Sequence, residues 1–332
     1  MIPFSRRAAL VALVSGPAAS RWARAQATGV PELQGHRGTR GLAPENTLAA
    51  FRRALALGVD VLELDTGITA DGQVVVMHDP RLNPNLTRDG AGQWLAGPGP
   101  LLRELTLAQL QAYDVGRLKP GTRYAQTYPE QQGADGVRVP TLAAVFDLVR
   151  SSRADRVRFN IETKLSPLEP DATLAPEPFA QAVLGVIQAH GMAKRCTLQS
   201  FDWRTLRVAQ RLAPDLPTVA LTARQSWLDN VADTRWTAGL ALADHGGSLP
   251  ALVRAAGARV WSPFFGDLTP ALRDEARRLG LPVVVWTVNA PADIERMLDW
   301  QVDGLITDYP DRARAAMQRR GWALPAAVEP QS

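Results

Sequence analysis

LQGHRGTRGLAPENTLAAFRRALALGVDVLELD, residues 33–65, sets two short apolar segments around an amphipathic one. Residues 33–35 and 61–65 read as strands, and 47–57 between them as a helix opened by a threonine cap. Strand, helix and strand in about 30 residues form a parallel crossover unit. The same stretch places His36 and Arg37 directly after the first strand and two carboxylates, Glu63 and Asp65, in the second. Working outward, further short β-branched runs lie at 157–162, 197–200, 218–221, 259–262, 283–287 and 304–307, which brings the strands to eight. Helical patterns at 142–149, 178–190, 203–212, 270–279 and 292–298 separate several of them. The alternation predicts an α/β fold of the (β/α)8 TIM-barrel type, with its site at the carboxyl ends of the strands. An open doubly wound sheet is the rival, but no glycine fingerprint follows the first strand.

The chain has 332 residues, 46% of them apolar, enough for one large core. Residues 1–25 pair Arg6 with Arg7 after Ser5, continue with an apolar run at 8–19 and end on Ala23-Arg24-Ala25. They read as a twin-arginine-type signal peptide for a periplasmic or secreted protein, leaving 26–332 as a single domain. The apolar run, interrupted at Gly16-Pro17, is too short for a stable membrane anchor. The signal holds four arginines and no acid. Taking those four from 37 basic residues leaves 33 against 33 acids. A balanced remainder gives no basic surface for nucleic acid. Cys196 is the only cysteine, so no intrachain disulfide forms, and its apolar setting predicts a buried, inert thiol.

Two stretches break the alternation. At 66–79 there is no room for a crossover helix, and TADGQVVVMHD predicts a tight turn with a strand returning antiparallel. A two-residue turn at Ala70-Asp71 sets His78 opposite Glu63, and one at Asp71-Gly72 sets it opposite Asp65; a three-residue turn flips it to the other face. The second break, 80–140, is rich in Gly and Pro and carries Trp94, Tyr113, Tyr124 and Tyr128. An insertion after the second strand of a barrel reads as a lid or substrate cap.

Glu63 and Asp65, two apart on a strand, project to one side, where adjacent anions call for a cation or a proton. Glu162 and Lys164 end another strand. Three carboxylates suit a hard divalent ion, calcium or magnesium, better than zinc. His36 and His78 fall at strand ends, where imidazoles can exchange protons near neutral pH. His190 and His245 read as ordinary surface or packing residues. Arg37 offers a planar fork to phosphate oxygens, or pairs with a rim carboxylate such as Glu45. Phe201, Trp286 and Asn289 sit at strand ends and line a pocket for an alcohol portion, or cap the barrel core. Asp308 either orients a neighbouring group or caps the helix that follows it.

Seven blocks in order carry a resemblance: GHRGTRGLAPENTLAAF, VLELDTGITADGQVVVMHDP, RVPTLAAVFDLV, FNIETK, LQSFD, VVVWTVN and GLITDYP. Over roughly 33–310 the chain resembles the glycerophosphodiester phosphodiesterases. That resemblance implies a (β/α)8 barrel with an extra segment near a metal site, hydrolysing a small-molecule glycerophosphodiester to glycerol 3-phosphate and an alcohol with a divalent cation. It implies His36 and His78 as the acid–base pair, Glu63, Asp65 and Glu162 as metal ligands, and Arg37 and Lys164 as phosphate contacts. Glu45 and Asn46 match a motif that supports or joins the metal site. Gly35 stands where alanine is commoner and Thr66 where valine is usual, and neither change removes a reactive group. A lysophospholipase D or a phosphodiester lyase uses the same residues. A non-catalytic periplasmic binding protein is the weaker alternative, since binding alone gives no reason for paired histidines.

Overall fold

The computed structural model describes residues 29–329, so the signal expected at 1–25 lies outside the described residues. Strand β1 (Glu32–Gly35) and β2 (Val61–Ile68) are followed by a short β3 (Val74–Val76), then β4 (Arg158–Thr163), β5 (Cys196–Ser200) and β6 (Thr218–Thr222). A small hairpin, β7 (Arg224–Gln225) and β8 (Leu228–Asp229), precedes β9 (Val260–Pro263), β10 (Val284–Val285) and β11 (Gly304–Thr307). The helices are α1 (Leu48–Leu57), the short α2 (Leu107–Leu110) and α3 (Arg123–Thr127), α4 (Leu142–Ser151), α5 (Pro176–Ala189), α6 (Trp203–Leu212), α7 (Leu249–Ala255), α8 (Pro270–Arg278), α9 (Pro291–Asp299) and α10 (Pro310–Arg319).

Eight strands run parallel in the order β10-β11-β1-β2-β4-β5-β6-β9. The two ends meet where Trp261 pairs with Val283 and donates its N–H to Pro282, 2.9–3.0 Å being the usual N–H···O distance and 3.0 Å the one found. The result is a TIM barrel, and all eight strand positions read from the sequence are strands. Thr47, Thr141, Ser248 and Thr269 cap their helices by accepting a backbone N–H, each contributing about 1 kcal/mol. Outward-facing Leu62, Leu64, Phe159, Ile161 and Trp261 pack under Phe51, Phe146, Val183 and Leu206 of the helices. Each such side chain contributes about 1.5–3 kcal/mol on burial.

The inward face is divided. Val219, Val260, Val284 and Ile306, from β6, β9, β10 and β11, form a hydrocarbon cluster of their own. In the barrel's middle layer β1, β4 and β5 turn Gln34, Asn160, Thr197 and Gln199 inward, all buried. Asn160 Nδ2 donates to Gln34 Oε1 (3.1 Å) and Gln199 Oε1 (2.8 Å), and Asn160 Oδ1 accepts from Thr197 Oγ1 (2.8 Å). Below them Arg158 pairs with Glu32. These partners offset the cost of burying amides.

The turn between β2 and β3 has three residues, not two. Thr66 pairs with Val76, Gly67 with Val75 and Ile68 with Val74, and Thr69 N–H donates to Gln73 O at 3.0 Å around Ala70-Asp71-Gly72. Gly72 takes φ 76°, the left-handed position that closes a three-residue hairpin. The register would set His78 opposite Leu64, on the wrong face. His78 escapes because the ladder ends at Val76 and the chain bends at 78–80. Segment 80–140 packs Leu82, Leu102, Leu110 and Val139 against Val75 and Met77 in a small core of its own.

Candidate active site

Gly35 and Gly38 make the turn that delivers His36. A Cβ on Gly35 would lie 2.2 Å from Gly38 O, and Gly38 has φ 83° with Ala50 2.8 Å from where its Cβ would be. Between them Arg37 is left-handed at φ 49°, as is Asn46 at φ 56°, and the two are joined by Asn46 N–H to Arg37 O (3.0 Å). Left-handed non-glycine residues carry strain that surrounding contacts must hold. The contacts here are with the carboxylates: Arg37 N–H donates to Glu63 Oε2 (2.9 Å) and Asn46 Nδ2 to Asp65 Oδ2 (2.9 Å).

Glu63, Asp65 and Glu162 are buried on β2 and β4, Asp65 directly beside Glu162 in the register. One oxygen of each lies within 4.8 Å of the others, the one such His, Cys, Asp or Glu cluster among the described residues. Burial, then Asp65 and Glu162, push the Glu63 carboxyl well above the usual range. Burial, opposed by Lys164 and reinforced by Asp65, takes Glu162 up to about 7. Burial acts against Asp65 too, but Arg37, His78 and Lys164 overcome it and hold that carboxyl well below its ordinary value. Asp65 Oδ1 is buried and accepts no hydrogen bond among the described residues. An all-oxygen trio with an unsatisfied inward oxygen fits a hard divalent cation. Glu63 is also aimed from below: Gln199 Nε2 donates to Glu63 Oε1 at 2.7 Å, so its own carbonyl faces the Asn160 amide.

Each histidine has a carboxylate behind it. His36 Nδ1 donates to Asp308 Oδ1 (2.6 Å), leaving Nε2 directed to the carboxylates, 3.9 Å from Glu63 Oε2. Burial, then Arg40, push His36 down to about 4, with Asp308 pulling the other way. Arg40 (2.8 and 3.0 Å) and Asn289 (2.6 Å) also donate to Asp308. Of the two roles the sequence left open for Asp308, the orienting one is found; the following helix has no side-chain cap. His78 Nδ1 donates to Asp79 Oδ1 (2.7 Å), itself held by Asn83 Nδ2 (2.7 Å). Burial, then Arg37 and Lys164, lower His78 as well, against Asp65 and Asp79.

Arg37 makes the expected pairing with Glu45, NH1 bonding Oε1 at 2.5 Å; Nε lies 3.2 Å from Asp65 Oδ2, and the residue lines the central cavity. Lys164 Nζ sits 2.9 Å from Glu162 Oε1 and 3.9 Å from Asp65 Oδ1. Glu45 and Asn46 stand behind these groups rather than in the cavity lining, and Asn289 acts on Asp308 rather than as a pocket wall. The cavity, about 480 Å³, exposes His36, His78, Glu63, Glu162 and Lys164 on one side and Phe201, Trp286, Trp227 and Trp236 on the other. Segment 80–140, expected as a lid, contributes Pro80 alone to that lining. Its contacts with the site lie behind the cavity wall. Tyr124 donates to Glu45, and Tyr128 lies under Arg40 with 4.8 Å from guanidinium carbon to ring centre. Sequence reading missed both tyrosines as site contacts, along with Arg40, Gln199 and Trp227.

Among the described residues no helix is long and apolar enough to cross a membrane. Comparison with known proteins agrees with the geometry. The chain is 30% identical over 276 residues to a glycerophosphodiester phosphodiesterase of Caldanaerobacter subterraneus subsp. tengcongensis, covering 83% of this chain and 93% of that protein. It is 31% identical over 285 residues to one of Bacillus subtilis, covering 83% of each. A crystal structure of a Silicibacter pomeroyi protein, provisionally assigned as a glycerophosphoryl diester phosphodiesterase, superposes with TM-score 0.80 at 38% identity, over 90% of this chain and 99% of that one. An Oleispira antarctica phosphodiesterase in complex with the product sn-glycerol-3-phosphate shares the fold at TM-score 0.63 and 20% identity, over 89% and 99%. A family model described as the glycerophosphoryl diester phosphodiesterase family matches residues 36–312, from the first histidine to just past Asp308, and the chain belongs to that family.

Proposed function

We propose that the protein hydrolyses glycerophosphodiesters to glycerol 3-phosphate and an alcohol, with His36 and His78 as the proton-transfer pair. The observation that carries this is the convergence, in one cavity, of two carboxylate-backed imidazoles, Glu63 and Glu162 with the buried Asp65 beside them, and the cations Arg37 and Lys164. Glu63, Asp65 and Glu162 would hold a divalent ion, calcium or magnesium, which when bound polarises the phosphoryl group. Arg37 and Lys164 would neutralise an anionic ester as charge builds on its oxygens. His36, held neutral at pH 7 with its Nε2 lone pair facing inward, is suited to take a proton from an attacking hydroxyl. His78, the more open of the two and backed by Asp79, is suited, once protonated at Nε2, to give a proton to the departing alkoxide. Asp308 and Asp79 fix the tautomer of each ring and stabilise its protonated form. Proton transfer by a positioned pair contributes about 10²–10⁴-fold for each step.

The test is product analysis with glycerophosphoethanolamine and glycerophosphocholine after EDTA treatment, with calcium, magnesium or other ions restored singly. Release of glycerol 3-phosphate that depends on the restored ion supports the reading. Binding of the diester without product formation refutes it.

A further inference from the structure

Trp227 stands at the tip of the β7–β8 hairpin, lining the cavity with 58% of its surface exposed. An indole left this open keeps a large apolar surface in water. Its position is nonetheless fixed. Arg224 N–H and Gln225 Nε2 donate to the two oxygens of Asp267 (2.7 and 2.5 Å), and Ala223 N–H donates to Asn230 Oδ1 (2.9 Å). Asn230 Nδ2 in turn holds Leu221 O and Phe201 O (3.0 and 3.1 Å). The indole meets Phe264 (centroids 5.6 Å, 87°) and Trp286 (6.1 Å, 78°) edge to face, and Trp286 meets Phe201 (5.1 Å, 86°) the same way. An aromatic wall therefore runs from the cavity mouth to Lys164, whose Nζ lies 5.4 Å over the Phe201 ring. Leu165 and Leu228 extend the lining, and the 165–173 loop that shares it carries Leu168, 55% exposed.

We propose that this wall is a subsite for a hydrocarbon arm of the diester, and that Trp227 sets the preference for substrates that carry one. The proposal rests on the diesterase reading above. Aromatic faces also attract quaternary ammonium groups, and charge decides between the two. The Phe201 face is already covered by Lys164, and Arg37, Arg40 and Lys164 all line the cavity. Apart from Glu63, Glu162 and Asp79 at the polar end, Glu169 is the one acid in the lining. A cationic arm on this wall meets the Lys164 ammonium, whereas a hydrocarbon arm brings no charge against it and covers the open indole.

The experiment compares kcat/KM of the metal-loaded protein on glycerophosphoethanolamine, its 1-octanoyl derivative and the octyl ester of glycerol 3-phosphate, with glycerophosphocholine as the cationic control. The two octyl probes place the hydrocarbon on the glycerol side and on the alcohol side. The wild type is expected to favour at least one of them over glycerophosphoethanolamine. Trp227→Ala is expected to reduce that ratio about tenfold, chiefly through KM, and Trp227→Leu to restore most of it. Equal losses on all substrates, an unchanged ratio, or a loss confined to glycerophosphocholine would each overturn the proposal. Calorimetric binding of octyl phosphate against inorganic phosphate gives a second readout that needs no turnover. Preference for octyl phosphate lost in Trp227→Ala, together with no hydrolysis of any diester, keeps the subsite and removes the diesterase reading. Equal binding of the two phosphates removes the subsite.

Discussion

Inside the barrel, Val219, Val260, Val284 and Ile306 fill one half with hydrocarbon, whereas Gln34, Asn160, Thr197 and Gln199 fill the other with amides and a hydroxyl. Branched apolar layers are the rule for this architecture. The polar half departs from the rule beneath the carboxylates, and its hydrogen bonds end on one of them, Gln199 donating to Glu63. The two halves do different work. The hydrocarbon half holds the barrel together. The amide half aims charge: Glu63 only accepts when ionised, so Gln199 must donate upward and Asn160 must donate to Gln199.

The largest effects are expected at the top of the polar half. His36→Ala and His78→Ala should each lower kcat by about 10²–10⁴-fold while the unfolding temperature stays within a few degrees. Near-normal turnover in both would remove the imidazoles from the chemistry. One layer down, Gln199→Met removes the donor to Glu63 at similar volume and should weaken divalent-ion affinity about 10–100-fold, read by calorimetry. Its counterpart across the barrel, Val260→Ala, should cost about 2–3 kcal/mol of stability in denaturant unfolding and leave ion affinity alone. If Val260→Ala weakened the ion as much as Gln199→Met, the two halves would not be separable.

Acidity sharpens the contrast further. Glu162, at about 7 when folded against an ordinary 4.5, binds a proton in the native state that the unfolded chain does not hold between those values. Its stabilising contribution is therefore complete below 4.5 and lost as pH rises through 7. Glu63 acts in the same direction. His36 acts in the opposite one: lowered to about 4 from 6.5, it makes the fold lose stability as pH falls through that window. In EDTA the protein should melt at a higher temperature at pH 6.5 than at pH 8, and a saturating divalent ion should remove or reverse the difference. The smallest effect is expected from Tyr124→Phe, which deletes the hydroxyl bonded to Glu45 and should cost about 0.5–1.5 kcal/mol of stability with a modest rise in KM.

How much of this was legible in the sequence follows from the range of the interactions involved. The eight strands were legible because each is a local apolar run, the Glu63–Asp65 pair because i, i+2 spacing on a strand is geometry rather than context, and Glu162 because both strands end on one barrel rim. The path of His78 was not. Thr69 accepts the Gln73 N–H (2.9 Å) and bonds Asp71 (2.6 Å), adding a third residue to the turn, and the bend at 78–80 then cancels the change of face. Two local deviations compensated, and a register argument sees only the first. The β7–β8 hairpin escaped because two-residue strands leave no periodic signal, and Trp227 in RQSWLDN reads as an isolated aromatic. Tyr124 and Tyr128 were visible as residues, but nothing in a Gly- and Pro-rich segment tells which of its side chains turn toward the barrel.

The His36–Asp308 bond spans 272 residues, joining the first strand of the barrel to the loop after the last. An imidazole that follows the first strand and a carboxylate that follows the last cannot pair until every strand of the barrel has been made. Loss of the final strand and its loop by proteolysis would likewise leave His36 without its carboxylate, however much of the barrel survived the cut.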